Sequence, residues 1–173
     1  MPAITFATSI CPVTIEYTAR KVIRLKLHSR EAEVVAHDSG EAPAWLQQLI
    51  ETVQQHMVGE CQDFQDVTLD LSGRSDFARS VYAALRAVPA GETISYGGLA
   101  AQVGRPSAAR GVASVMAANP IPLIIPCHRV VGANGRLTGF SGAEGIATKA
   151  QLLAAEGIPS VDGVLRGSDW NTA

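Results

Sequence analysis

The sequence predicts an α+β protein in two parts. A small α/β N-terminal domain, an antiparallel sheet plus one helix, is expected over residues 1–72. A mostly helical C-terminal domain containing a helix-turn-helix is expected over residues 76–173. Three patterns carry this reading. Apolar and polar residues alternate with period two near the start, and apolar residues recur at helical spacing after Pro43. Two short helical patterns then flank the turn Gly104-Arg105-Pro106.

Val13-Thr14-Ile15-Glu16-Tyr17 and Val22-Ile23-Arg24-Leu25-Lys26-Leu27 alternate because successive strand side chains point to opposite faces. Glu31 to Val35 is expected to add a short strand. Trp45, Leu46, Leu49, Ile50, Val53 and Met57 share one face of a helix that Gly59 ends. Val67 to Leu71 is expected to be the last strand before Ser72-Gly73. No chemistry concentrates in this part, so it reads as scaffold.

The second part opens with a helix from about Asp76 to Ala87, carrying Phe77, Val81, Ala84 and Leu85 on one face. Pro89 to Glu92 forms a turn. Thr93 or Ser95 is placed to cap a helix that Gly104 closes, and Ser107 to cap one from Ala108 to Ala118. Short helices joined by a Gly-Pro turn make the helix-turn-helix. Ile121 to Ile125, apolar between prolines, reads as a buried strand delivering Cys127. A turn at Asn134-Gly135, a glycine-rich loop from Thr138 to Gly145 and a helix capped by Thr148 follow. Leu152 and Leu153 face inward, Glu156 ends the helix before Gly157, and residues 158–173 read as a loose tail.

Composition narrows the class. With 47% hydrophobic and 17% charged residues the chain is globular, and no apolar run reaches membrane-spanning length. With no signal segment at the N-terminus, a soluble intracellular protein is expected. Three cysteines without CxxC spacing argue against a disulfide framework. Cys11 and Cys61 with His28, His37 and His56 match no metal-ligand spacing, so no metal is expected. The net charge of −2 conceals a division: residues 30–76 hold ten acids against two arginines. Residues 77–136 hold six arginines (79, 86, 105, 110, 129 and 136) against Glu92 alone. Arginine clustering favours an anionic partner with phosphate groups.

The helix from Ala108 to Ala118 is built of small residues with Arg110 as its one charge. A helix that reads base edges needs Arg, Asn or Gln, and this one has almost none. Two readings stand: its small side chains pack against the core, or they let it approach a nucleic-acid groove without regard to sequence.

Pro126-Cys127-His128-Arg129 holds the one Cys-His neighbour pair of the chain. A thiol attacks as its thiolate, and an adjacent imidazole makes one near neutral pH. On a regular strand the two side chains would point apart, so a turn after Pro126 or a bridging water is needed. Glu156 is the leading candidate to orient the imidazole, with Asp162 and Glu144 as alternatives. Tyr96 is a candidate phosphate contact or acid, and Asn119 a candidate to bond across the turn before the cysteine.

Together these residues resemble the O6-alkylguanine-DNA alkyltransferase family, also called methylated-DNA–protein-cysteine methyltransferases. The family's Pro-Cys-His-Arg-Val run is present as Pro126 to Val130. Ser95-Tyr96-Gly97, Ala108-Ala109-Arg110, Asn119-Pro120, Gly139-Phe140-Ser141-Gly142, Lys149, Leu152-Leu153 and Glu156 fall in the family's order, over roughly residues 77–157.

The resemblance implies that Cys127 accepts the alkyl group of O6-alkylguanine, and less readily of O4-alkylthymine, in double-stranded DNA. His128 would draw off the thiol proton through water, oriented by Glu156. Tyr96 would help protonate the departing base and touch phosphate, Arg110 would fill the gap left by the flipped nucleotide, and Asn119 would tie the recognition helix to the cysteine turn. Ser95, Ala109, Val130, Ser141, Gly142 and Lys149 would contact DNA or the extruded base.

The resemblance further implies minor-groove binding without sequence preference, a monomer in the cytoplasm, no cofactor and no metal, and an N-terminal domain that is ribonuclease H-like in outline. The product thioether has no good leaving group, so each molecule would react once. Phe140 stands where Tyr is common, the loop between Gly142 and Lys149 is longer than in the shortest members, and no zinc ligand set is evident. The alternatives are a non-catalytic module that only recognises alkyl lesions, and a cysteine hydrolase using Cys127 and His128.

Overall fold

The computed structural model describes residues 1–33 and 42–166 and opens with three antiparallel strands, β1 (Ala3–Phe6), β2 (Val13–Thr18) and β3 (Lys21–Leu27), in the order β1-β2-β3. The alternation sets their faces. Val13, Ile15, Val22, Leu25 and Leu27 are buried, while Glu16 and Lys26 pair on the outer face at 3.1 Å. The helix α1 (Ala44–Met57) turns Leu46, Leu49, Ile50, Val53 and Met57 into the same core cluster. Gly59, at φ +98°, ends it in the left-handed conformation that glycine adopts without a Cβ penalty.

Two expected strands are corrected here. After β3 the chain turns: the Glu31 and Ala32 N–H groups bond the Ser29 hydroxyl and carbonyl, so residues 31–33 form no strand. The rest of that expected strand lies outside the described residues, as does His37. Over 67–71 only Leu69 bridges, to Val22. The Asp70 carboxylate accepts the Ser72 N–H and hydroxyl, which bends the chain away from the sheet.

The second part contains α2 (Asp76–Arg86), β4 (Ile94–Ser95), α3 (Tyr96–Gln102), α4 (Ala109–Ala117), β5 (Val130–Val131), α5 (Ile146–Ala155), β6 (Ser160–Val161) and β7 (Val164–Leu165). Ser75 caps α2 by accepting the Ala78 N–H at 3.2 Å, and Ser95 caps α3 by accepting the Gly98 N–H at 2.9 Å. Neither Ser107 nor Thr148 caps a helix. The turn before α4 is closed by the backbone bond from Ala108 to Arg105, and no side chain caps that helix. The cap position of α5 is Gly145 at φ +62°, a conformation a β-branched residue resists. Thr148 lies buried within the first turn, where its hydroxyl accepts the Glu144 N–H at 3.0 Å.

Burial divides the residues of α4 between two faces. Val112 and Met116 face the core, and the Tyr82 hydroxyl donates to the Val115 carbonyl at 3.0 Å. Arg110, Ala113, Ser114, Ala117 and Ala118 face solvent, so most of the small residues form an outer surface. β4 and β5 pair in parallel, Ile94 with Val130 and Ser95 with Val131, which sets the start of α3 beside the segment that carries Cys127. Among the described residues no helix is long and apolar enough to cross a membrane.

One buried cluster runs from Ile4 in β1 to Leu152 in α5. A second is formed by Val131, Leu137, Leu153, Ile158 and Leu165. The expected loose tail is therefore corrected in its described part, where the β6-β7 hairpin folds back and closes this second cluster. Burying a leucine contributes about 1.5–3 kcal/mol, enough to hold a short hairpin in place. Leu165, 4% exposed, is the side chain through which it does so. Leu165→Ala is expected to lower the stability measured by urea unfolding by about 2–5 kcal/mol. An unchanged midpoint would mean that the hairpin is not part of the cooperative fold.

Candidate active site

The segment from Asn119 to Val131 delivers the nucleophile. Residues 121–125 are mostly buried, as expected, but they form a tight turn rather than a strand. Pro120, Pro122 and Pro126 lack the N–H groups that a ladder requires. The turn is closed by the Ile125 N–H on the Ile121 carbonyl at 2.9 Å, with Leu123 at φ +75°. A non-glycine residue held there stores about 1–3 kcal/mol, which the surroundings must offset. Asn119 supplies part of the constraint. Its amide donates to the Ile125 carbonyl at 2.9 Å and accepts the Ile121 N–H at 3.0 Å, tying the end of α4 to the turn.

Cys127, His128 and Arg129 then form one turn of 3-10 helix. Three residues per turn send successive side chains out roughly 120° apart, so thiol and imidazole serve different neighbours. Burial pushes the Cys127 thiol above its ordinary value, although the Asn119 side chain and the Lys149 charge pull the other way. It therefore rests as a neutral thiol, and a base is needed to make it a nucleophile.

Glu156, buried at the end of α5, gathers three side chains around its carboxylate. Its Oε1 accepts from His128 Nε2 at 2.8 Å, from Arg129 Nη2 at 2.8 Å and from His56 Nε2 at 2.9 Å. Its Oε2 accepts from Arg129 Nε at 3.0 Å and faces the Gly91 N–H at 3.4 Å. With His128 Nε2 as donor, the proton of the neutral ring sits there and Nδ1 keeps its lone pair. That Nδ1 is buried and has no hydrogen-bond partner among the described residues, so it is free to accept a proton.

Burial alone would raise the Glu156 carboxyl, but His128, His56 and Arg129 outweigh it and hold the group well below the usual carboxylate range. Burial lowers His128, more than the facing carboxylate raises it. The resting pair is thus an ionised glutamate and a neutral histidine. His56, His128 and Glu156 also converge closely enough to suggest a metal site. Their facing atoms are engaged with one another, and the Arg129 guanidinium also bonds both oxygens of the same carboxylate.

The thiol opens onto a cleft of about 330 Å³ whose walls include Asn119, Met116, Phe140, Ser141, Gly142 and Leu25 of β3. This volume is in the range of small-ligand sites. A Cβ on Gly142 would come within 3.0 Å of the Phe140 ring and 3.2 Å of the Leu27 side chain, so a larger residue there would require those side chains to shift. The Tyr96 hydroxyl donates to the Thr138 carbonyl at 3.3 Å, and burial pushes its phenol up, keeping it protonated.

Several residues expected to touch DNA are placed inward. Lys149 is fully buried, and its Nζ donates to the carbonyls of Val130 and Thr138 at 2.5 and 2.7 Å. Burial brings its ammonium down to about 8. Ser95 is buried and spends its hydroxyl on the α3 cap. Val130 is buried, with its carbonyl on Lys149 and its N–H on the Cys127 carbonyl. Ser141 is exposed beside Cys127, Ala109 is half-buried, and Arg110 is exposed on α4.

The arginine cluster divides in the same way. Arg129 is buried on Glu156, and Arg86 Nη2 holds the carbonyls of Phe64, Gln65 and Val67 at 2.7–3.0 Å. Arg105 lies over the Phe77 ring at 5.3 Å, and Arg79 pairs with Asp76. Glu144, an alternative to orient the imidazole, instead bonds Ser29 at 2.7 Å. The residue missed by sequence reasoning is His56. It lies 100 positions from Glu156, and on α1 it falls beside the apolar stripe, which offers no local sign of a polar partner.

Glu156→Gln is expected to destabilise by about 3–5 kcal/mol, since it leaves buried cationic donors without their charge. Folded His128 and Glu156 both bind fewer protons than their unfolded counterparts, so stability is lost as the pH is lowered. The His128 part begins below about pH 6.5 and the Glu156 part below about pH 4.5. Thermal unfolding between pH 7.5 and about 2.5 checks both. A variant as acid-sensitive as the parent below pH 4.5 would mean that Glu156 is not the group responsible.

Residues 76–158 match the family model described as 6-O-methylguanine DNA methyltransferase, DNA binding domain. A methylated-DNA–protein-cysteine methyltransferase of Mycolicibacterium paratuberculosis is 46% identical over 116 residues, 67% of this chain and 68% of its own. One of Mycobacterium bovis is 38% identical over 152 residues, 88% of this chain and 90% of its own. A crystal structure of Mycobacterium tuberculosis OGT in complex with DNA superimposes with a TM-score of 0.75 at 36% identity, covering 90% of this chain and 92% of that one.

Proposed function

The chain belongs to the methylated-DNA–protein-cysteine methyltransferase family, and from that premise we propose that it reverses alkylation damage in DNA directly, with Cys127 as the acceptor. The substrate is O6-alkylguanine, and less readily O4-alkylthymine, in double-stranded DNA. The observation that carries the reading is a cleft-lining thiol that rests protonated, beside an imidazole whose open Nδ1 is backed by a buried carboxylate.

The alkylated oxygen is out of reach inside stacked DNA, so the target nucleotide turns out of the helix into the cleft. His128 Nδ1 takes the Cys127 proton through a water, and Glu156 stabilises the imidazolium that forms. The thiolate attacks the carbon bonded to O6 in line with the C–O bond. An S–C bond forms, the C–O bond breaks, and the electron pair leaves with the guanine. The departing base is protonated with the help of Tyr96. The thioether persists, so each molecule reacts once.

Lys149, placed between Val130 and Thr138, favours the thiolate by its charge and holds the glycine-rich loop over the cleft. Asn119 holds the turn, and Ser141 and Gly142 line the space for the base. The outer face of α4 supports an approach to the minor groove without sequence readout, with Arg110 inserting where the nucleotide left. We read residues 1–72 as a scaffold domain, ribonuclease H-like in outline. Residues 76–173 then form the DNA-binding and transfer domain of a cytoplasmic monomer that uses no cofactor or metal.

Duplex DNA bearing labelled O6-methylguanine tests the reaction. Stoichiometric label on Cys127 is expected; label that stays on the DNA would leave lesion recognition alone, and repeated turnover would point to hydrolysis. Cys127→Ala should abolish transfer and keep measurable lesion binding, and uptake of label by this variant would refute the assignment. Arg110→Ala should slow reaction with duplex by about 10- to 100-fold, the cost of one contact worth 1–3 kcal/mol, and leave free O6-benzylguanine unaffected. Equal slowing on both substrates would sink the inserting role.

A further inference from the structure

We propose that His56 is a positioning residue for alkyl transfer: from α1 it holds the Glu156 carboxylate in place for His128 and moderates how strongly that carboxylate draws a proton onto the His128 ring. The inference rests on the reading of Cys127 as acceptor and His128 as base.

The His56 ring is 1% exposed and packs edge-on against Phe64, with centroids 5.2 Å apart. The Gln62 N–H donates to His56 Nδ1 at 3.1 Å, so that nitrogen is unprotonated in the neutral ring. The ring proton is therefore on Nε2, 2.9 Å from Glu156 Oε1. The same oxygen receives His128 Nε2 and Arg129 Nη2, each at 2.8 Å. Two imidazoles 72 positions apart in the chain thus share one carboxylate oxygen, and a backbone N–H sets the tautomer of the second.

Sharing has two effects. The carboxylate is bracketed by His56, His128 and Arg129, so it cannot rotate its oxygen away from His128. Each additional donor also disperses its negative charge and weakens its pull on a proton arriving at His128. The ionisable groups that face the His128 ring are Glu156, Arg129 and His56, with Cys127 adjacent in the chain. Without the His56 N–H, Glu156 would hold a protonated His128 more firmly. More of the protein would then carry an imidazolium that cannot take the thiol proton.

The single-turnover rate of labelled methyl transfer, followed from about pH 5 to 9, reads this directly through its acid limb. His56→Phe removes the donor and should move that limb to higher pH by about one unit, with the plateau rate kept within a few-fold. His56→Gln retains an N–H donor at similar reach and should restore the parental limb. A role in packing alone would lower rates equally at every pH, and an unmoved limb in His56→Phe overturns the proposal.

Should His56→Phe not fold, the parental protein decides. Nitrogen-15 NMR of its imidazoles should show His56 protonated at Nε2 with Nδ1 bare, and the opposite tautomer would overturn the proposal. If the parental protein transfers no label at all, the Cys127 reading fails instead, and the tautomer measurement still judges the His56 contact.

Discussion

The buried charge of Glu156 is the constraint around which the rest of the site is arranged. An ionised carboxylate removed from water costs several kcal/mol unless opposite charge and hydrogen bonds replace the solvent. Here the replacement comes from Arg129 and His128 on the 3-10 turn, His56 on α1 and the Gly91 N–H between α2 and β4. These partners arrive on three different stretches of chain. Satisfying one carboxylate therefore locks the end of α5, the cysteine turn and the N-terminal helix into a single geometry. That geometry aims the lone pair of His128 Nδ1 away from Glu156, where a proton can be received.

On the other side of the turn a second buried charge does a related task. The Lys149 ammonium bonds the carbonyls of Val130 and Thr138 and lies close enough to the thiol to favour its ionised form. Burial keeps Cys127 protonated at rest, while the Asn119 side chain and the Lys149 charge pull toward the thiolate. A thiol that is unreactive until the site is engaged suits a protein that reacts once. The parallel pairing of β4 with β5 fixes the start of α3 against the residues that follow Arg129, and Tyr96 there bonds the same Thr138 carbonyl that Lys149 holds.

Much of this was legible beforehand where the signal is local. The alternation of residues 13–17 and 22–27, the stripe of α1 and the Ser95 cap of α3 depend on near neighbours, and the structure follows them. The expected strands over 121–125 and 67–71 and the expected loose tail failed for different physical reasons. Residues 121–125 are apolar enough for a strand, but prolines remove the ladder donors. Residues 67–71 are bent by Asp70, and the tail acquires a hairpin because Leu165 finds a cluster assembled from α5 and β5. In the site, Lys149 and Arg129 read as groove-facing cations, yet both turn inward to partners remote in sequence.

The sequence by itself determined the chemical inventory: a thiol beside an imidazole, a carboxylate 28 positions downstream, an amide before the turn, and a helix of small residues with one arginine. Those are properties of residue type and spacing, readable without a fold. Only the tertiary structure decided which charges face solvent and which nitrogen of His128 is open. It also decided that a second imidazole shares its carboxylate. Side-chain direction and burial are set by contacts between segments far apart in the chain, and the bond from His56 to Glu156, across 100 positions, has no local pattern to announce it.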